Sequence, residues 1–389
     1  MVSANSSSGR SREIGLDQLP LIDHHCHGVV AGKVDRPAFE NLINEGFDPP
    51  PRGTSHFDAP IGLAVRRWCG SALDLEPLAP SEEYLARREE LGPEEVNRRL
   101  LRAAGFGALL IDSGYRGDEL LDLPAMSEVA GVRVHEVVRI EAVAEAVAAE
   151  GPGGDRYPDA FEAALRHRAE AAVVLKTIVA YRAGFGIDPA RPSREEVVRA
   201  AGEWLRAADQ GQLRLTDPVL LRHGIWTGAD IARDRGLPLQ IHSGFGDPDL
   251  RINQANPALL TDLVRAFAHL PVNVVFLHCY PYHREAGYLA AVFPNVYFDI
   301  GSALNYTGPS ARGFLAEAVE VAPFSKHLFS SDAFGVPELY FLGAVLFRRG
   351  LGGILERWIE DGDCTTEDAR RIAAMIGRDN ALRIYPVEM

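Results

Sequence analysis

Eight short apolar runs, each long enough to cross a protein core as one extended strand, constrain this 389-residue chain more than any other feature. They read LPLIDHH (19–25), FGALLIDSG (106–114), VRVHEVVRI (132–140), AAVVLKTIV (171–179), LPLQIHSG (237–244), VNVVFLHC (272–279), NVYFDIG (295–301) and HLFSSD (327–332). Between them lie segments whose apolar residues recur at helical spacing, such as SREEVVRAAGEWLRAA (193–208) and PALLTDLVRAFAHL (257–270). Near-continuous apolar strands alternating with helices are what parallel strands buried on both faces require. Eight such units predict an α/β fold of the (β/α)8 TIM-barrel type. An open doubly wound sheet would want a Gly-rich phosphate turn after an early strand, whereas GPGGD (151–155) follows a helix and reads as a plain loop.

The spare length falls between the first and second strands. Residues 30–105 hold Pro clusters (DPPPRG, 48–53) and a helical stretch (SEEYLARREE, 81–90), so they read as a helical insertion over one barrel face. Residues 1–13 are polar and Ser-rich without the apolar centre of a signal peptide, and are expected to form a disordered tail before a single domain over 14–389. A formal charge of −14 with no basic stripe excludes a nucleic-acid-binding surface. No apolar run reaches membrane-spanning length. Four dispersed cysteines with no CxxC pair fit a reducing cytoplasm. A small molecule is the expected partner, with assembly into a homo-oligomer left open.

In a barrel of this kind the chemistry collects at the C-terminal strand ends. Those ends carry Asp23, His25 and His27 on strand one, Lys176 on strand four, His242 on strand five, His278 on strand six and Asp332 on strand eight. Strand side chains alternate faces, so His25 and His27 are expected on one side with Asp23 below them, and His24 and Cys26 on the other. Two imidazoles joined by a carboxylate are a donor set that zinc and similar divalent metals select. A single strand-end histidine is usually a hydrogen-bonded core residue; the constellation argues for a metal. Lys176, in VVLKTI, is costly to bury unless it is paired or chemically changed. It is open to three readings: an ion pair, a clamp on a substrate carboxylate, or a carbamate bridging two metals.

Taken together, D-x-H-x-H on the first strand, Lys on the fourth, His on the fifth and sixth and Asp on the eighth resemble the amidohydrolase superfamily. The stretches LKTIVAYRAGFGID (175–188), LQIHSGFGDPD (239–249), LHCYPYHREAGYLAAVFPNVYFDIG (277–301) and SSDAFGVPELYFLGAVLFR (330–348) look like its amidohydrolase-2 branch. More narrowly they are similar to the domain fused to glutamine-synthetase-like modules in FluG- and nodulin-type proteins.

The resemblance implies a metal-dependent hydrolase of a C–N bond. His25, His27 and Asp332 would bind a first metal, and a carbamylated Lys176 would bridge to a second held by His242 and His278. With a free Lys176, one metal would be held by His25, His27, His242 and Asp332, leaving His278 as acid or electrophile. Asp332 would take a proton from the attacking water and pass it to the leaving amine, and Asp23 would orient the ligands. Tyr181 and Arg182 after strand four, and His283 and Arg284 after strand six, are candidate substrate contacts. An Arg there can clamp a carboxylate, although both arginines have the plainer reading of pairing with loop carboxylates such as Asp247 or Glu285. A γ-glutamyl amide is attractive by analogy with the glutamine-synthetase partners. The rivals are a metal-dependent decarboxylase of the same branch, a catalytically inactive binding or scaffold barrel, and a Schiff-base aldolase using Lys176.

Overall fold

Strands whose side chains are apolar in both directions cannot face water on either side, and here they do not. The computed structural model describes residues 14–46 and 48–389. The Ser-rich segment 1–13 lies outside the described residues. Seven strands pair in parallel and in sequence order. They are β1 (Leu21–Cys26), β2 (Phe106–Asp112), β3 (Arg133–Arg139), β4 (Ala172–Thr177), β5 (Leu239–His242), β6 (Val274–Leu277) and β7 (Val296–Phe298). Every residue of β1, β4, β5, β6 and β7 is buried.

The eighth run closes the barrel without a regular ladder. On one side Leu328 N donates to Phe298 O at 3.0 Å; on the other His24 N donates to Phe329 O at 3.3 Å and Asp332 N to His25 O at 3.1 Å. A side chain explains the interruption: Ser331 N donates to Asp23 Oδ1 at 2.9 Å instead of to a strand carbonyl. Asp332 then turns into the left-handed region at φ 49°. The (β/α)8 expectation holds, with seven laddered strands and one irregular closing segment among the described residues.

Apolar residues fill the inside of the sheet. Ile22, Leu110, Val137, Val174, Val275 and Leu277 form one cluster, joined by Ala381, Ile384 and Tyr385 from the end of the chain. The larger core lies between the sheet and its helices. Local signals set those helices: Ser193 and Glu196 form a reciprocal capping box on Arg194–Ala208. Asp217 caps Pro218–Arg235, which stops at the left-handed Gly236. Within 30–105 lie helices Arg36–Leu42, Ser81–Leu91, which covers the SEEYLARREE stretch, and Pro93–Ala103. Arg88 and Tyr84 there reach buried Glu338, at 2.5 and 2.9 Å, on the 25-residue helix Pro337–Asp361. No helix among the described residues is long and apolar enough to cross a membrane.

One expectation about β1 is corrected. Opposite β2, three steps from Asp23 to Cys26 match two from Leu109 to Ile111, a bulge. Strict alternation therefore fails, and His24 does not face the helices. Its ring lies within hydrogen-bonding reach of Gln240 on β5 and of Tyr385, inside the barrel, while Cys26 joins the outer core as expected.

Candidate metal centre

The bulge sends His24 down the barrel and leaves His25 and His27 at its mouth, where the ends of β4, β5 and β6 and the closing segment converge. Asp332 is the hub. Its Oδ1 lies 3.5 Å from His25 Nε2 and 3.7 Å from His27 Nε2, and its Oδ2 lies 3.4 Å from His278 Nδ1. These are long for hydrogen bonds. They suit donors sharing an ion instead: two atoms each about 2.1 Å from one centre at a tetrahedral angle are about 3.4 Å apart. His242 joins the group by ring packing, 4.9 Å from His278.

The protonation of the cluster fits a cation. His27 Nδ1 lies 3.3 Å from the carbonyl of Asp112. A carbonyl only accepts, so the proton sits on Nδ1 and Nε2 presents its lone pair towards Asp332. Burial holds His25, His242 and His278 well below the ordinary imidazole range, and His27 down to about 3. All four are neutral donors near pH 7. His242 Nε2 and His278 Nδ1 are buried without a hydrogen-bond partner, a cost a ligand would relieve. Burial also pushes the Asp332 carboxyl well up, against the pull of Lys176. An anion short of positive charge among neutral imidazoles is a site that fits a divalent metal.

The main chain around these donors is held under constraint. His278 (φ 55°) and Asp332 (φ 49°) both occupy the left-handed region, uncommon for residues with a Cβ. Asp299 Oδ1 accepts from His278 N at 2.9 Å and from Gly301 N at 2.7 Å. Asp23 accepts from the Ser331 amide and hydroxyl just before Asp332. Tyr340 donates its hydroxyl to the His27 carbonyl.

Lys176 is fully engaged. Its Nζ lies 2.9 Å from Asp112 Oδ2 and 2.8 Å from His25 Nε2. Asp112 also accepts from Arg139, at 2.6 and 3.1 Å. Burial alone would raise the Asp112 carboxyl, but Arg139 and Lys176 hold it far below the usual carboxylate range. The sequence reading missed both Asp112 and Arg139. They end β2 and β3, and the strand-end rule that picked out the histidines would have found them.

A cavity of about 360 Å³ opens over the cluster, lined among others by His27, Lys176, His242, His278 and Asp332. Tyr181 and Arg182 also line it. The Tyr181 ring packs 4.5 Å from that of His242. Arg182 pairs with Glu145 at 2.9 Å, neither of the loop acids expected, and keeps a buried Nε–H without a partner. His283 and Arg284 lie outside this lining: His283 Nε2 meets Glu317 at 3.0 Å, and Arg284 pairs with Glu320 at 3.1 Å. The helix that starts at His283 carries both towards its neighbour rather than over the cavity. Glu45 and Tyr306 line the cavity and hydrogen-bond each other. No sequence signal marked either, because Glu45 sits in the insertion away from any strand.

Comparison with known proteins agrees with this geometry. Residues 22–387 match the family model for amidohydrolases of the amidohydrolase-2 type. Protein fluG of Emericella nidulans is 28% identical over 405 residues, covering 94% of this chain and 45% of that protein. The chain thus spans less than half the length of this relative. A crystal structure of a Lactobacillus casei protein assigned as a metal-dependent hydrolase superposes with a TM-score of 0.84 at 32% identity, covering 95% of this chain and 96% of the other. A uronate isomerase from Bacillus halodurans shares the fold alone, with a TM-score of 0.66 at 14% identity over 98% of this chain and 97% of that one.

Proposed function

The chain belongs to the amidohydrolase family, and from that premise we propose that it is a metal-dependent hydrolase cleaving an amide-type C–N bond in a small, carboxylate-bearing substrate. Asp332 carries this reading, with three neutral imidazole nitrogens 3.4 to 3.7 Å from its oxygens at the floor of a cavity. His25, His27, His242 and Asp332 would hold the ion, and their nitrogen and carboxylate donors suit zinc. A divalent ion held there would supply Lewis-acid chemistry, polarising a carbonyl and lowering the pKa of water towards neutrality.

The protein's own groups do the rest. Asp332, as the carboxylate beside the ion, takes the proton of the attacking water and returns it to the leaving nitrogen as the C–N bond breaks. His278 hydrogen-bonds the substrate carbonyl. Arg182, with its spare Nε–H at the cavity wall, receives the substrate carboxylate. Lys176 stays a free amine paired with Asp112 and gives up its contact with His25 Nε2 to the ion, which favours one ion over two. A carbamate on Lys176 would instead serve a second ion with His242 and His278.

That same ion pair favours the second reading. A single-metal site is also the kind found in decarboxylases of this branch, so the products decide. Metal-loaded protein is incubated with a panel of γ-glutamyl and N-acyl amides in ¹⁸O-labelled water. Hydrolysis yields free amine and ¹⁸O in the new carboxylate. Release of carbon dioxide from an unsaturated or aromatic acid, with no amide turned over, would replace the hydrolase by the decarboxylase.

A further inference from the structure

His24, the histidine that the bulge turns into the barrel, lies beneath the metal centre without touching it. Gln240 fixes its ring. The amide nitrogen of Gln240 donates to the His24 carbonyl at 2.9 Å and lies 3.1 Å from Tyr385 Oη, so the amide orientation is set. The same nitrogen lies 3.3 Å from His24 Nδ1, and Tyr385 Oη lies 2.9 Å from it. The two amide hydrogens go to the His24 carbonyl and to Tyr385 Oη, so the Tyr385 hydroxyl hydrogen is left for Nδ1, which accepts it, and the proton of the ring is on Nε2. That Nε2 lies 2.9 Å from Asp299 Oδ2, a close polar contact off the line of a hydrogen bond. Neither atom has another partner and both side chains are fully buried, so each is the other's only polar neighbour. The other oxygen of Asp299 accepts the main-chain N–H groups of His278 and Gly301. His24 therefore sits two contacts from a residue held in a left-handed conformation at the mouth of the barrel.

We propose that His24 is a positioning residue: through Asp299 it fixes the main chain of His278, and so links the end of the chain at Tyr385 to the shape of the metal centre. The inference rests on the metal-site reading above. It explains why the first strand carries three histidines when only two approach Asp332, and what the buried Asp299 carboxyl is placed to meet. Groups that fix a metal donor from behind typically matter 10- to 100-fold in metal affinity.

The test uses cobalt(II) as the probe. Metal-free protein, prepared with a chelator, is titrated with cobalt, and both the affinity and the visible d–d bands are followed. His24→Ala should weaken binding by about 10- to 100-fold and move the bands while the far-UV circular dichroism stays unchanged. His24→Gln, which keeps a donor in reach of Asp299, should recover part of the loss. Combining His24→Ala with Asp299→Asn should cost no more than Asp299→Asn alone, because both act along one path. Equal affinity and an unchanged spectrum in folded His24→Ala, or additive losses in the double variant, would overturn the proposal. If His24→Ala does not fold, His24→Gln and Tyr385→Phe carry the test, and wild-type affinity and bands in both would overturn it. Failure of the unaltered protein to take up cobalt would sink the metal reading itself and this inference with it, an outcome distinct from all the others.

Discussion

Lys176 Nζ lies 2.9 Å from Asp112 Oδ2, and this buried pair sets the charge of the whole barrel mouth. Asp112 stands between two cations, Lys176 and Arg139, and is their common anion. Removing it leaves two buried positive charges beside imidazoles that burial already keeps neutral. Asp112→Asn is therefore expected to cost about 3–5 kcal/mol of stability, the usual penalty for stranding a buried charge. Urea unfolding measures it. Asp112→Asn combined with Lys176→Met should recover a substantial part of the loss, since the stranded ammonium is then gone. A loss below about 1 kcal/mol in the single variant would show that the pair is wet or loose.

Gly246 marks how tightly the cavity wall is built. A Cβ placed there would lie 3.3 Å from His242 Nε2 and run into the Tyr181 phenol. Tyr181 Oη in turn accepts the Asp247 amide at 3.3 Å, so the loop has little room to retreat. Gly246→Ala should lower kcat/KM by about tenfold or more, about 1.4 kcal/mol at the transition state. Global stability should fall by about 1–3 kcal/mol, the usual cost of overpacking, without unfolding the protein. Wild-type kcat/KM in this variant would mean that neither Tyr181 nor His242 matters where it stands.

His327 gives the fold a pH limit apart from the site. Its ring stacks on Phe298 at 4.7 Å, and both ring nitrogens are buried without a partner. Burial lowers its pKa from 6.5 to about 4. The sign follows from proton counts. Between pH 6.5 and 4 the unfolded chain binds a proton here that the folded chain refuses, so stability falls as the pH falls through that window. By pH 4 the loss from this one group is about 3 kcal/mol. His327→Phe should keep the stacking and flatten the fall from pH 7 to pH 4 by about that amount in urea unfolding at each pH. An identical pH profile in the variant would show that burial does not shift the ring, which then takes up its proton at the same pH in the folded and unfolded chain.

Most of the barrel was legible in the sequence because strands buried on both faces leave an apolar signature that little else produces. The donors at the mouth were legible for a related reason: a strand end in such a barrel is a place, so a polar residue there has an address. The local geometry of β1 was not. Alternation predicts faces only while the register holds, and one bulge between Asp23 and Cys26 reversed the side of His24. The closing segment carries a strand-like sequence, yet Asp23 takes the amide of Ser331 and breaks the ladder. Partners are harder still. Arg182 invited pairing with a nearby loop acid, but the carboxylate that meets it, Glu145, belongs to the helix Ile140–Ala149 after β3, brought close only by the wound barrel. Glu45 lies in an insertion with no periodicity that points to the cavity, so only the folded chain reveals it.

The account stands or falls on the ion, and the most direct measurement is elemental analysis of protein purified without chelators, beside His27→Ala and Asp332→Ala. One equivalent of zinc or a similar divalent metal per chain, lost in both variants while their circular dichroism stays native, is the predicted result. Two equivalents would keep the metal centre but place a carbamate on Lys176. No metal in the unaltered protein, and none taken up when zinc is added, would contradict the account and leave a barrel whose histidines serve something other than hydrolysis.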